Sequence, residues 1–357
     1  MNRKPEGTLR RGWTTGACAT AAAKAAYMAL LTGRFPDPVT IRLPRGQMPV
    51  FPLARESVDG DSATAGIVKD AGDDPDVTHG AMVVVTVRAG APGAGVTFHA
   101  GEGVGTVTRP GLPIPPGEPA INPAPRKMIR EALAEIAAAH GVSGDVAVTV
   151  SIPGGEKIAE RTWNPRLGIV GGLSVLGTTG IVIPYSCSAW IHSIRQGIDV
   201  ARATGISHIA GATGKTSEAA VRRYHGLDME SVVDMGDFAG GMLKYLNGHP
   251  LPRVTIAGGF AKLTKLAQGN LDLHSARSQV DLERLAAMAG TLGATPEIQQ
   301  SIRGANTAAQ ALELAPSLPD AVARAAQEEA MRVLSGNIAV DILVVDRQGR
   351  AIGHAGP

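Results

Sequence analysis

Cysteine is scarce in this sequence, which has only Cys18 and Cys187 among its 357 residues. The two lie far apart and outside any CxxC pair, which excludes a disulfide scaffold and a structural zinc site. Long apolar runs are also lacking, since Lys24 interrupts the stretch from Ala17 to Leu31, and we expect neither a signal peptide nor a membrane span. A reducing cytoplasm fits this composition, and no metal bound by the protein itself is expected.

Aromatic residues and an excess of charge of one sign are lacking as well. Aromatics make up 3% of the sequence, and 34 basic residues against 32 acidic ones leave a net charge of +2. These values argue against a nucleic-acid partner, which would need stacking rings or a basic field, and against attraction to an anionic membrane. The sequence is rich instead in loop formers, with 45 glycines and 24 prolines, so that the backbone can approach a small ligand closely. An enzyme acting on a small molecule is the class that fits.

The pattern of the chain changes near residue 164, which predicts two domains. Residues 1–163 combine an alanine-rich helix, capped by Thr15, with short β-branched runs, and we expect an α+β domain there. Residues 164–357 repeat short apolar strands, glycine-rich turns and helices, which predicts an α/β Rossmann-like domain with a mostly parallel sheet. The last strand, residues 338–345, either joins that sheet or returns to the first domain.

A dense cluster of acids occupies residues 69–80, KDAGDDPDVTHG. Carboxylates so close together repel one another, so the cluster needs a physical reason. It could bind a hard cation, perform acid–base chemistry or stabilise a cationic ligand, or its aspartates could cap backbone amides in turns. Its spacing does not match an EF-hand calcium loop.

Residues 101–126 form a segment with seven prolines between Pro110 and Pro125, which predicts an extended loop. Its first residues imitate a dinucleotide loop, but Thr106 stands where the third glycine belongs, and we expect a loop that covers a substrate. Glu102 and Arg109 are candidate polar contacts to that substrate, or they are solvated loop residues.

Two glycine-rich turns in the second half are candidates for binding a nucleoside. Neither matches a full nucleotide motif: the first is not GxGxxG, and the second has Ile209 where a phosphate loop needs its first glycine. Turns that follow parallel strands are nevertheless common ligand sites, because their amides point out of the sheet. We predict that a cofactor contacts six residues of these turns: Gly171, Gly172, Thr178, Thr179, Gly211 and Gly214.

Together these segments resemble the cobalt-precorrin-5B C1-methyltransferase family, CbiD. The resemblance is carried by TTGACATAAAKAA from Thr14, KDAGDDPDVTHG from Lys69, GEGVGTVTRPGLPIPPGEPAINPAPR from Gly101 and NPRLGIVGGLSVLGTTGIV from Asn164. The stretch from Gly258 to Ser275 extends it, so that it covers nearly the whole chain. The family pattern near His274 is Thr-His-Ser, whereas Leu273 precedes the histidine here, so no role for a threonine hydroxyl carries over.

The resemblance implies S-adenosylmethionine-dependent methylation of ring carbon C-1 of cobalt-precorrin-5B, giving cobalt-precorrin-6A in cobalamin biosynthesis. S-adenosylmethionine would be the co-substrate, and the tetrapyrrole substrate would carry the cobalt. Such a transfer needs no protein nucleophile, only in-line alignment and exclusion of water. A nicotinamide-dependent precorrin reductase and a non-catalytic tetrapyrrole-binding protein are the alternatives, and the sequence leaves open whether the chain forms a homo-oligomer.

The implied substrate carries many carboxylates, which makes basic and polar side chains candidate contacts. We predict five substrate-binding residues: Arg109, Glu102, Arg126, Thr15 and His274. For catalysis we predict that Asp73 and Asp76 orient His79, which contacts the substrate or accepts the proton that the ring loses. The competing interpretation is that these aspartates are turn caps and that His274 is a structural histidine.

Overall fold

The computed structural model describes residues 7–357, which divide into two compact units. Unit 1 extends to Ser186, and unit 2 is Cys187–Pro357. Residues 164–186, which the sequence pattern assigns to the second domain, therefore belong to unit 1.

Unit 1 contains short strands, three α-helices and one 3-10 helix. Its strands are β1 (Gly12–Trp13), β2 (Val39–Thr40), β3 (Val50–Phe51), β4 (Arg55–Asp59), β5 (Ser62–Val68), β6 (Met82–Ala89), β7 (Val96–Ala100), β8 (Thr106–Val107), β9 (Val146–Ser151), β10 (Ile169–Val170) and β11 (Ile181–Val182). Its helices are α1 (Thr15–Thr32), α2 (Pro123–His140), α3 (Gly155–Ala159) and the 3-10 helix Pro165–Leu167.

The core of unit 1 lies between helix α1 and a five-stranded sheet of order β4-β5-β6-β9-β7. The sheet is antiparallel except where β7 pairs with β9. Eight of the 18 residues of α1 are alanines, all of them buried, and their small side chains let the helix approach β5 and β6 closely. The cap of α1 is Thr14, whose hydroxyl accepts the amide of Ala17 at 3.2 Å, so the sequence-based assignment to Thr15 is wrong by one residue.

The segment Gly168 to Val182 does not form the strand–turn–helix predicted from its sequence. Strand β10 pairs antiparallel with β8, and β11 pairs antiparallel with β1, so neither is a parallel strand. Glycines with positive φ at 168, 171, 177 and 180 turn the chain repeatedly, and the next helix begins only at Cys187. The expectation that Gly171 and Gly172 follow a parallel strand is therefore wrong.

Unit 2 alternates helices and strands. Its helices are α4 (Cys187–Ala203), α5 (Lys215–His225), the 3-10 helix Met229–Ser231, α6 (Ala239–Gly248), α7 (Phe260–Ala267), α8 (Leu282–Thr291), α9 (Pro296–Arg303), α10 (Ala308–Leu314) and α11 (Leu318–Val333). Its strands are β12 (His208–Ala212), β13 (Val232–Asp234), β14 (Arg253–Gly259), β15 (Ala339–Val345) and β16 (Ala351–Ala355).

The sheet of unit 2 has the order β13-β12-β14-β15-β16, with every neighbouring pair parallel except β15 and β16. The last predicted strand thus joins this sheet as β15, beside β14. The strand order reverses between β12 and β14, and ligands of open α/β sheets bind at such a switch point, outside the carboxyl ends of the strands.

The chain is thus a mixed α/β protein whose two large sheets both contain parallel pairs. Of the helices within residues 7–357, none is both long enough and apolar enough to cross a bilayer.

Candidate functional site

The carboxyl ends of β12, β13 and β14 in unit 2 are held together by main-chain and lysine contacts. The amide of Thr213, just after β12, donates to Ala257 of β14 at 3.0 Å. The ammonium of Lys262, on α7, donates to the carbonyl of Thr213 at 3.0 Å and lies 3.0 Å from a carboxylate oxygen of Asp237, which follows β13. These contacts gather three loops at the switch point, and we call Thr213, Asp237, Lys262 and their neighbouring glycines the crevice.

Asp237 has an unusual position, because its side chain is almost fully buried but is not fully hydrogen-bonded. Its Oδ1 atom lies 3.0 Å from the Lys262 ammonium, which pairs its charge, but it accepts no well-aligned hydrogen bond from the described residues. Buried polar atoms are nearly always satisfied, so an exception needs an explanation, such as a ligand that donates to it. Sequence reasoning missed Asp237, which lies in no motif; only its position after a strand could have indicated it.

Open space borders the crevice at two glycines. Gly214 precedes α5 and Gly259 precedes α7, and a β-carbon built on either would meet no neighbouring atom. The amides of the first turn of each helix have no partner within the helix, so they can donate to an anionic group. Gly211, also predicted as a contact, is buried within β12, where a β-carbon would lie 2.4 Å from the sulfur of Met242. Position 211 therefore has no room for a side chain, and glycine is needed there for packing.

Lys265 and His274 flank the crevice and hold its border in place. The Lys265 side chain is buried, which lowers the pKa of its ammonium, and it donates to the carbonyl of Leu273 at 3.0 Å. His274 is exposed, and its Nδ1 accepts the amide of Ala276 at 3.1 Å. The lysine thereby anchors the loop that carries the histidine.

The other four predicted cofactor residues, Gly171, Gly172, Thr178 and Thr179, lie in unit 1. Gly172 packs against the main chain of the 101–126 loop, where a β-carbon would lie 2.2 Å from the oxygen of Gly103. The hydroxyl of Thr179 bonds the amide of Ile181 at 3.3 Å within its own turn. Gly171 borders open space, and Thr178 lines the groove described next.

A groove of about 630 Å³ lies in unit 1 beside helix α2. Arg42, Lys127 and Thr178 line it together with Glu131 and Glu135. Lys127 lies 3.8 Å from Glu131, an exposed pair whose attraction is weak. The groove therefore offers two cations and a hydroxyl that an anionic ligand can reach.

The acidic loop, residues 69–80, is held together by its own carboxylates. Asp70 accepts hydrogen bonds from both terminal nitrogens of Arg10 and from the amide of Gly72. These bonds, with the charge of Arg10, hold the pKa of Asp70 at about 2. Asp73 accepts the amide of Arg10 at 2.6 Å. Asp74 accepts the amide of Tyr185 at 2.8 Å, and burial raises its pKa.

Asp76 forms the most buried ion pair of the acidic loop. Its Oδ2 lies 2.5 Å from the ammonium of Lys69, whose side chain is 2% exposed, and its Oδ1 accepts the amide and hydroxyl of Thr78. Burial raises the pKa of Asp76, but the charge of Lys69 and the hydrogen bonds outweigh burial and bring the pKa below its usual value. Turn capping and pairing account for all four aspartates, as the competing interpretation expects.

His79 contacts neither Asp73 nor Asp76, so the predicted orientation of its ring by these residues is wrong. Its Nδ1 accepts the amide of Ala71 at 3.1 Å, and the nearest carboxylate is Asp70 at 3.8 Å. An amide always donates, so the neutral imidazole carries its proton on Nε2. The ring is half exposed, and this Nε2–H can donate to a ligand.

The 101–126 loop is ordered by its own contacts. Arg126 donates to the carbonyls of Ile121 and Pro119 and pairs with Glu118, so its guanidinium is engaged within the loop. Arg109 lies half-buried against Gly168, while Glu102 is exposed. Thr15 is buried in the first turn of α1. Among these predicted substrate contacts, Glu102 is the one whose side chain faces the surface.

Known proteins match this chain over almost its whole length. The CbiD family model matches residues 2–184, and a model described as CbiD, C-terminal domain, matches residues 272–356. The cobalt-precorrin-5B C(1)-methyltransferase of Paramagnetospirillum magneticum is 62% identical over 353 residues, covering 98% of this chain and 99% of that protein. The protein of the same name from Brucella anthropi is 60% identical, covering 97% and 95%. A crystal structure of the cobalamin biosynthesis protein cbiD from Archaeoglobus fulgidus is 27% identical, covering 76% and 84%, with a TM-score of 0.42.

Proposed function

This chain belongs to the CbiD family, and from that premise we infer that it is a cobalt-precorrin-5B C(1)-methyltransferase of cobalamin biosynthesis. The observation that carries this is the 62% identity to a methyltransferase of that name, which extends over 98% of the chain. The reductase and the non-catalytic carrier, which the sequence patterns left open, are set aside on this ground.

The test of the reaction is mass spectrometry of cobalt-precorrin-5B after incubation with the protein and isotopically labelled S-adenosylmethionine. We expect the tetrapyrrole to gain one labelled methyl group. Unchanged tetrapyrrole, or reduction that depends on a nicotinamide, would contradict the function.

We propose that S-adenosylmethionine is the methyl donor and that it binds in the crevice of unit 2, at the carboxyl ends of a Rossmann-like sheet. The residues present fit such a molecule. The Oδ1 of Asp237, whose contact is the Lys262 ion pair, can also accept from a ribose hydroxyl or an ammonium group, and the amides after Gly214 and Gly259 can donate to a carboxylate. Bound there, S-adenosylmethionine supplies an electrophilic methyl group, and the chain itself binds and orients.

We propose that polar groups of unit 1 bind the carboxylates of the tetrapyrrole. The donors that favour this binding mode are Arg42, Lys127 and Thr178 in the groove, Arg109 in the proline-rich loop and the Nε2–H of His79. Lys and Arg side chains form charge-assisted hydrogen bonds with carboxylates, which are stronger than neutral ones. Because His79 carries its proton on Nε2, it acts here by binding, and proton acceptance would require the Ala71 contact to break.

Titration calorimetry with S-adenosylmethionine tests the cofactor site. Gly259 has an extended backbone and open space, so Gly259→Ala should leave the fold intact and place a methyl group in the ligand's volume. Overpacking costs about 1–3 kcal/mol, so we expect the dissociation constant to rise about ten-fold or more. Gly248→Ala is the matched control, since Gly248 also borders open space but ends helix α6. Equal affinity of both variants would place the cofactor elsewhere, without affecting the identity of the reaction.

A further inference from the structure

A second polar cluster lies in unit 2 at the amino ends of the parallel strands, opposite the crevice. His208 begins β12, His225 ends α5, and Asp341 lies in β15 beside Thr255 of β14. One ligand atom from each of the two histidines and the aspartate lies within 4.8 Å of the others. His354, on β16, lies 3.4 Å from the same Asp341 carboxylate.

His225 is the member of this cluster without a hydrogen bond. Its Nε2 is buried and has no partner within residues 7–357, while its ring packs edge-on against His208 at 4.9 Å between centroids. A buried ring nitrogen with no partner loses its hydration and gains nothing in return, unless an ion or another ligand occupies the space beside it. Two imidazoles and a carboxylate are a common ligand set for zinc and similar divalent metals.

The groups that face the cluster fit a metal site. Arg253, the first residue of β14, donates to both oxygens of Asp341 at 2.5 and 2.7 Å, and Thr255 lies 2.7 Å from Nε2 of His208. A carboxylate has about four acceptor positions, and with Arg253 and His354 on three of them one remains available to an ion. Partners outside the ligand set typically orient metal-binding carboxylates and imidazoles.

We propose that unit 2 binds one divalent transition-metal ion of the zinc class through His208, His225 and Asp341, with water as the fourth ligand. The ion would tie the end of α5 to β12 and β15, and its role is structural, because the cluster lies at the other end of the sheet from the crevice. Sequence reasoning expected no protein-bound metal, since ligands at positions 208, 225 and 341 form no short motif.

Zinc binding to the untagged protein, without tetrapyrrole, tests the proposal. After removal of metal with a chelator, calorimetry with Zn²⁺ should show one saturable site per chain, and Co²⁺ should give the visible absorption of a tetrahedral site. Zinc should also raise the thermal midpoint, because it binds the folded state. His225→Ala should weaken zinc binding more than a change outside the ligand set does, and such changes typically cost about 10–100-fold in affinity. His192→Ala, at an exposed histidine on α4, should bind as the parent does.

His208→Ala is the second variant, and circular dichroism checks that each variant is folded. Loss of the site in either folded variant, with His192→Ala unchanged, supports the proposal. Absence of saturable zinc binding by the parent protein overturns it. So does zinc binding that is as tight in His225→Ala and His208→Ala as in the parent.

Discussion

The acidic loop and the crevice both contain a buried carboxylate paired with a lysine, but the two carboxylates differ in how many further hydrogen bonds they accept. In the acidic loop, Asp76 is paired with Lys69 and accepts two bonds from Thr78. In the crevice, Asp237 is at least as buried, and its Oδ1 lies 3.0 Å from Lys262 but accepts no well-aligned hydrogen bond from the described residues. A carboxylate that is paired and fully hydrogen-bonded stabilises the folded chain, whereas one with acceptor positions left over is available to a ligand. The number of acids in a segment therefore says less about binding than the state of each oxygen.

The largest expected effect is on stability, at the buried pair of the acidic loop. Lys69→Met should remove the partner of Asp76 while keeping an aliphatic chain in a site that is 2% exposed. Breaking a buried pair on one side costs about 3–5 kcal/mol, because a charge stays behind without compensation. Urea unfolding, followed on the transition that reports unit 1, measures this loss.

Lys127→Met is the matched control for Lys69→Met. Lys127 is 75% exposed and 3.8 Å from its partner Glu131, so its removal should change the unfolding free energy little. Equal losses in the two variants would mean that the Lys69–Asp76 contact adds no more than a surface pair.

Sequence reasoning predicted the parts of the fold that depend on periodicity. The alanine-rich helix and the parallel strands of unit 2 occur, because local propensity and buried faces agree there. The proline-rich segment is a loop over most of its length, but it contains the short strand β8, and α2 begins at Pro123 rather than after Arg126. The interpretation of Gly168 to Val182 was wrong, because short apolar runs between glycines look alike in parallel and antiparallel pairs, and only the partner strand decides.

The candidate site was less predictable than the fold. Gly214 could be predicted from its position after a strand, but Asp237 belongs to no motif and is linked to Thr213 only through Lys262, which contacts both. Gly172 and Gly211 were predicted as ligand contacts although their lack of a side chain serves close packing. A glycine is needed in both situations, and sequence alone does not distinguish them.

The next largest effect is on cofactor affinity, at the Asp237 carboxylate of the crevice. Asp237→Asn should raise the dissociation constant of S-adenosylmethionine about ten-fold to a hundred-fold, since hydrogen bonds to charged groups contribute about 1.5–3 kcal/mol. Asp74→Asn, in the acidic loop, keeps an acceptor for the Tyr185 amide and should leave the affinity unchanged. Calorimetric titration of both variants measures the difference, and a larger loss in Asp74→Asn would reverse the roles of the two regions.

Acid should weaken the acidic loop through Asp76. The folded-state pKa of Asp76 lies below its usual value, so its contribution to stability is present above the unfolded pKa and is lost as the pH falls through the folded one. We therefore expect Asp76→Asn to be less stable than the parent near neutral pH and to approach it in acid. Thermal midpoints measured from about pH 7 down to about pH 3 test this, and a gap of constant size would show that the carboxyl does not titrate with folding.

The smallest effect is expected at His79, where the loop meets solvent. If His79 were a general base, its replacement by alanine would lower turnover by about two orders of magnitude. Its Nδ1 already accepts the Ala71 amide, however, so the exposed Nε2 carries the proton and can only donate while that contact holds. One exposed hydrogen bond contributes about 0.5–1.5 kcal/mol, so we expect His79→Ala to raise KM for cobalt-precorrin-5B about two-fold to ten-fold and to leave kcat nearly unchanged. Steady-state kinetics separate the binding role from the catalytic role. His79→Gln, whose side-chain amide can also donate, should recover part of the lost affinity. A hundred-fold fall in kcat without a change in KM would restore the catalytic role and make the acidic loop part of the reaction site.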